Sequence, residues 1–299
     1  MLNFSNQTAA AWEFQMDTDN QEMKQKIIEG IDELPPMPDV VIKAQGLLAD
    51  PNSSANELAA LLETDQSIAT RVLKIANSAF FGMSGRVSSI KHASLVLGYQ
   101  NLSQIISVAG MHKALDKKLP GYGFDSEELW RHSLSVALGA KLIASRKNPE
   151  MEMVAHTAGL VHDVGKIIMD PFVLEEKQRF EAFLLQEQQT YLNAEQQILG
   201  FDHAEIAAEV CKKWSIPEVI SSAIQYHHSP SSSMEVELAF ILHMADYISL
   251  MSGEGYEDED YLYELEEGTM DYLDFNQNDI SELTFELMES VANLLDSPN

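Results

Sequence analysis

The stretch His162-Asp163-Val164-Gly165-Lys166 sets an imidazole beside a carboxylate and places an amine about one helical turn after the imidazole. Upstream, Glu128 and His132 stand four residues apart. Downstream come His203, the pair His227-His228, and Asp246 inside the apolar run LAFILHMADYISLM. On a helix, positions i and i+4 share a face, so Glu128 and His132 project from the same side. A carboxylate beside an imidazole can bridge two metal ions while the histidine binds one. Buried without a partner, Asp246 would cost several kcal/mol, so it calls for a cation or hydrogen-bond donors. Mixed imidazole and carboxylate donors suit one or two divalent transition-metal ions, iron or manganese, with zinc also admissible; the single Cys211 rules out a thiolate set. Two such ions roughly 3.5–4 Å apart can clamp a phosphate, and Lys166 could then face one of its oxygens.

Helices must position these groups. Met23, Ile27, Ile28 and Ile31 have helical spacing, and the prolines of Leu34-Pro35-Pro36-Met37-Pro38 then break the pattern. Helices are predicted over 40–48, over 55–63 with Ser54 as N-cap, and over 66–76, 89–97 and 102–115. Lys118-Leu119-Pro120-Gly121-Tyr122-Gly123 reads as a linker rich in turn formers. Further helices follow near 126–147, 150–168, 173–188, 203–214, 217–228, 233–251 and 279–295. Asp202 with Glu205 resembles a capping box, Pro217 suits a first helical position, and the acidic stretch 253–260 reads as a loop. No segment shows sustained strand alternation. The expected fold is all-α: a flexible segment 1–20, a helical subdomain 21–118, a linker 119–124 and a second helical bundle 125–299 with an acidic C-terminal region.

Bulk properties narrow the function. The 299 residues carry a net charge of −28, and 19 of those negative charges fall after Lys213, where no Lys or Arg occurs. Such a surface repels nucleic acid and anionic membranes and suits a basic protein partner. No membrane-spanning run and no secretory signal pattern is present, and one cysteine fits a reducing compartment, so a cytoplasmic protein is expected. His92, His112, His156 and His243 are assigned packed or surface roles.

Residues 126–250 resemble the HD superfamily of metal-dependent phosphohydrolases, and their order is most similar to the HD-GYP branch, whose members hydrolyse cyclic di-GMP. That resemblance implies metal ligands at Glu128, His132, His162, Asp163, His203, His227, His228 and Asp246, and a catalytic role for Lys166 with Asp163. The first half adds LPPMP, LLETDQSIATRVLKIANSAFFG and VSSIKHASLVLG, which resemble the HDOD family, a signalling relative of HD-GYP; Arg71 and the run 76–82 are its most specific residues. The resemblance implies an HDOD fold in a bacterial signal-transduction protein.

Two departures from the HD-GYP pattern matter. Ser229-Pro230 follows the histidine pair where those enzymes carry a glutamate and a Gly-Tyr-Pro loop, and nothing basic after Lys213 can hold dinucleotide phosphates. The expected function is therefore a regulatory HDOD protein with a metal centre, acting through a signalling partner protein. Two alternatives stay open: a phosphohydrolase acting on a nucleotide or cyclic dinucleotide, and a degenerate scaffold that docks partners on its acidic half. Oligomeric state is left open.

Overall fold

The computed structural model describes residues 25–31, 39–81, 87–125, 127–186, 189–214, 216–234, 236–253 and 263–295. The expectations for 1–20, for the proline break and for most of the acidic loop lie outside these residues. Among the described residues all regular structure is helical, and the one β feature is an isolated bridge between Leu119 and Phe124.

The first part comprises α1 (residues 25–31), α2 (Asp39–Ala49), α3 (Ala55–Leu62), α4 (Gln66–Ala76) and α5 (Ile90–Leu115). Local chemistry sets the ends of these helices. Ser54 and Glu57 form a reciprocal capping box at α3, and the Asp65 carboxylate accepts from two backbone N–H groups at the start of α4. Asn77 ends α4 and reaches across its turn, donating to the Leu73 and Val87 carbonyls and accepting from Val87 N–H. The two helices expected at 89–97 and 102–115 form one run, α5, broken at Gly98, whose φ of 73° is outside helical space.

The second part comprises α6 (Glu128–Lys147), α7 (Glu152–Val161), α8 (Gly165–Glu175), α9 (Lys177–Leu184), α10 (Tyr191–Ala194) continuing into a π turn (Glu195–Leu199), α11 (His203–Lys213), α12 (Glu218–Gln225), α13 (Glu237–Met251), α14 (Thr269–Leu273) and α15 (Gln277–Leu295). α6 and α13 are buried on nearly every side, which makes them the central helices of the bundle. The stripe Ile280, Leu283, Leu287 and Val291 of α15 is buried in the same core.

Apolar side chains fall into two clusters. The smaller joins α2, α3, α4 and one side of α5 around Leu58, Leu62, Val72 and Leu102. The larger fills the second part and takes in Val108, Met111 and Leu115 from the neighbouring stripe of α5, so α5 serves both. Ile27 and Ile31, one turn apart on α1, pack into the larger cluster although the sequence grouped them with the first subdomain. Each such buried aliphatic contributes about 1.5–3 kcal/mol, so truncating Leu102, which seals the smaller core, would cost about 2–5 kcal/mol.

The structure corrects one expectation here. The helix expected over 150–168 is interrupted at 162–164, where hydrogen bonds close over three residues: Val164 N–H to Val161 O at 3.2 Å and Lys166 N–H to Asp163 O at 3.0 Å. In the turn-rich segment 119–124, Leu119, Tyr122 and Phe124 are buried and the Gly121 N–H donates to Asp170 Oδ1 at 2.7 Å.

Candidate metal centre

The bundle brings five chain segments to one point. His132 comes from the second turn of α6, and His162 and Asp163 from the turn between α7 and α8. His203 opens α11, His227 and His228 follow α12, and Asp246 lies in the middle of α13. Two glycines permit the close approach. A Cβ at Gly159 would lie 2.6 Å from the Ala137 Cα, so glycine lets α7 sit against α6. A Cβ at Gly165 would overlap the His203 carbonyl oxygen, so glycine lets α8 meet α11 and carries His203 to Asp163.

Asp163 sits between two donor groups. Its Oδ2 is 3.5 Å from His162 Nε2 and 3.8 Å from His132 Nε2, while its Oδ1 is 3.2 Å from His203 Nε2. Asp246 Oδ1 faces His132 Nε2 at 3.1 Å and His162 Nε2 at 3.9 Å. On the far side the Nε2 atoms of His203 and His228 face each other at 2.8 Å. Donor atoms of His132, His162 and Asp163 lie within 4.8 Å of one another, as do those of His162, His227 and Asp246, and those of His203, His227 and His228.

The imidazoles are oriented from behind. Nδ1–H of His162 donates to Gly159 O at 2.8 Å, and Nδ1–H of His227 to Ile224 O at 2.7 Å. A carbonyl oxygen only accepts, so each Nδ1 carries the proton and each Nε2 presents a lone pair to the centre. Both Nε2 atoms are buried with no hydrogen-bond partner among the described residues. A buried acceptor left unmatched costs about 1–3 kcal/mol. Two aimed at one another's neighbourhood, beside a shared carboxylate, fit a site that holds cations. His203 Nδ1–H donates to Glu195 Oε2 at 2.7 Å.

Charge is distributed accordingly. Burial alone would depress His203, but the Glu195 carboxylate, with Asp163 behind it, pushes its pKa up to about 10. Burial and then the neighbouring His162 and His203 push His227 down to about 3, which keeps it neutral and free to bind a metal. Burial would raise both Asp163 and Asp246. His162 and Lys166 hold Asp163 well below the usual carboxylate range, and His132 does the same for Asp246.

Seven of the eight ligands expected from the sequence therefore converge. Glu128 does not. It is exposed at the first turn of α6, and its carboxylate accepts from Asp125 N–H at 2.6 Å. The i, i+4 relation gives it the direction of His132 but leaves it about 5–6 Å nearer the helix end, where the surface begins. Lys166 is buried, with Nζ donating to Asp163 Oδ2 at 2.8 Å. His243 keeps its packing role, since Nδ1–H donates to His227 O at 2.7 Å and Nε2 accepts from Glu266 N–H at 2.8 Å.

Sequence reasoning missed two residues. Glu195, fully buried, accepts from His203 N–H at 2.9 Å and from the Tyr122 hydroxyl at 2.7 Å besides His203 Nδ1. Tyr263 donates its hydroxyl to Asp246, and burial followed by the Asp246 charge holds its phenol well above the usual range. Neither stands out in a polar or acidic stretch. The centre opens into a cavity of about 830 Å³, counted with its mouth, whose wall includes Lys166, Tyr191, Asn193 and Tyr263.

The profile of the HDOD domain family matches residues 34–230. The chain belongs to the HDOD family. An HDOD domain protein from Geobacter sulfurreducens has the same fold, with a TM-score of 0.76 and 28% identity over 93% of this chain and 99% of that one. A candidate phosphohydrolase from Shewanella amazonensis superposes with a TM-score of 0.69 at 24% identity, covering 90% of this chain and 97% of that one, and shares the HDOD fold. An uncharacterized protein of Treponema pallidum is 24% identical over 72% of this chain and 41% of its own length. Ribonuclease Y of Helicobacter pylori strain J99 is 31% identical over 111 residues, 37% of this chain and 16% of that enzyme. The chain thus spans 41% and 16% of the length of these two relatives.

Proposed function

We propose that this HDOD protein is a signalling module built around a divalent-metal centre, whose state is read by a partner protein. The observation that carries the reading is the pair of buried, unpartnered Nε2 lone pairs of His162 and His227 beside the shared Asp163 carboxylate. His132, His162, Asp163, His203, His227, His228 and Asp246 would hold one or two divalent ions; iron, manganese and zinc all accept this donor set. Glu195 fixes the His203 ring, and Tyr263 holds Asp246 from the cavity side. The stretch after Lys213, with 19 Asp and Glu and no Lys or Arg, offers the partner negative charge.

A second reading, hydrolysis of a phosphoester, is favoured by the cavity that reaches Lys166 and the centre together. Bound ions would supply Lewis-acid polarisation of a phosphoryl oxygen and a lowered water pKa. The chain would contribute Lys166 at the cavity wall, paired with Asp163, while Tyr191 and Asn193 line the approach. Candidate substrates are a nucleotide or a cyclic dinucleotide.

Elemental analysis of untagged protein, beside Asp163→Ala, tests the first reading. About two ions per wild-type chain, lost in the variant, are expected. A metal-free wild type after anaerobic supplementation with iron and manganese refutes it. Turnover of nucleotide phosphoesters that vanishes in Asp163→Asn would establish the second reading.

A further inference from the structure

A second set of metal-competent side chains lies outside this centre, where α5 hands over to α6. His112 and Asp116 are i and i+4 at the end of α5, and Glu127 immediately precedes α6. One donor atom from each lies within 4.8 Å of the other two. The sequence had given His112 a packing role. Its ring does pack against Trp130, with centroids 4.5 Å apart and the planes tilted by 54°. Its side chain is nine-tenths buried, yet neither ring nitrogen makes a hydrogen bond among the described residues, and Nδ1 stands 3.8 Å from Asp116 Oδ2. That gap is too wide for a hydrogen bond. It is close to the separation of about 3.4 Å that two ligands adopt around a tetrahedral ion with bonds of about 2.0–2.2 Å.

We propose that His112, Asp116 and Glu127 form a separate divalent-metal site of the zinc type, one imidazole and two carboxylates with a fourth position left to water. An ion there would tie the last turn of α5, which serves both cores, to the start of the helix that carries His132. Burial and then the nearby Arg71 charge depress the His112 pKa, which keeps its nitrogen unprotonated at neutral pH. Arg71 and Lys74 also oppose a cation, and the two carboxylates offset their charge. The inference stands apart from the central site, because none of its three residues contributes there.

The adjacent Trp130 supplies the readout. Full-length protein supplied with about two equivalents of Zn²⁺, enough for the seven-residue central site alone, is titrated with Co²⁺, which quenches a nearby indole, and tryptophan emission is followed. Saturable quenching is expected in wild type, with affinity weakened about tenfold or more in Asp116→Asn and in Glu127→Gln. Both replacements keep side-chain shape at partly or fully exposed positions, and circular dichroism confirms that each variant is folded. Trp130→Phe should lose the quenching but keep one more bound ion per chain than the Asp116→Asn/Glu127→Gln double variant. Quenching curves in the two single variants that match wild type would overturn the proposal, as would equal ion content in wild type and the double variant.

Discussion

Replacing Glu195 by Gln probes how far the centre depends on residues behind the ligands. Glu195 is fully buried and receives three hydrogen bonds: His203 N–H at 2.9 Å and His203 Nδ1–H at 2.7 Å on Oε2, and the Tyr122 hydroxyl at 2.7 Å on Oε1. Glutamine has the same shape. Its amide oxygen can take the Oε2 place, and its NH₂ can face Tyr122, whose hydroxyl turns to accept. The variant therefore removes the charge and leaves the connections. Charge-assisted bonds contribute about 1.5–3 kcal/mol against about 0.5–1.5 kcal/mol for neutral ones, so the apo-protein should lose about 1–3 kcal/mol. The larger effect falls on the metal. A neutral partner makes His203 a poorer donor, and loss of such an outer contact lowers affinity about 10–100-fold. Competition with a chromophoric chelator measures the affinity, and urea unfolding of chelator-treated protein measures the stability. Glu195→Ala, which strands three buried donors, should cost more than Glu195→Gln in both. A folded Glu195→Gln protein that holds metal within about twofold of wild type would refute the claim that Glu195 acts through His203.

The remaining predictions concern position, packing and pH. Glu128→Gln should leave metal content unchanged while Asp163→Asn lowers it, by elemental analysis; loss in Glu128→Gln would return that residue to the centre. Gly165→Ala should destabilise by about 1–3 kcal/mol in urea and weaken metal binding, because its methyl drives α8 from the His203 backbone; unfolding within about 0.5 kcal/mol of wild type contradicts this. His156 is buried, and burial, helped by Lys141, pushes its pKa down to about 3. The unfolded chain then binds a proton the folded chain refuses, so this group's stabilising effect is complete above the unfolded pKa near 6.5 and is lost as pH falls from there toward 3. The loss is about 2 kcal/mol by pH 5. Unfolding curves of His156→Leu between pH 7 and pH 5 should be flatter than wild type by that amount, and parallel curves would show that His156 does not titrate on unfolding.

What the sequence could show of this centre depended on contrast with neighbouring residues. Asp246 is conspicuous because eleven of its helix neighbours are buried and mostly apolar, and Asp163 because a histidine adjoins it. The starts of α3 and α11 were equally plain, since Ser54 and Asp202 cap their helices through contacts three residues away. Glu195 offers no contrast. It lies among polar residues, and it is held between His203 and Tyr122, the latter 73 positions earlier in a segment that reads as a linker. Tyr263 is hidden in the same way in an acidic run, because its partner Asp246 sits on another helix. Glu128 shows the reverse error. Helical period gives the direction of a side chain, whereas its depth depends on how far along the helix the core extends, and α6 enters the core at Leu129. Ligands that interrupt their own local pattern are therefore visible from sequence, while the groups that orient them are fixed by packing between distant helices. The loss of metal affinity expected in Glu195→Gln is a test of that division, since it would place a large share of the centre's binding strength in a residue that the linear sequence does not mark.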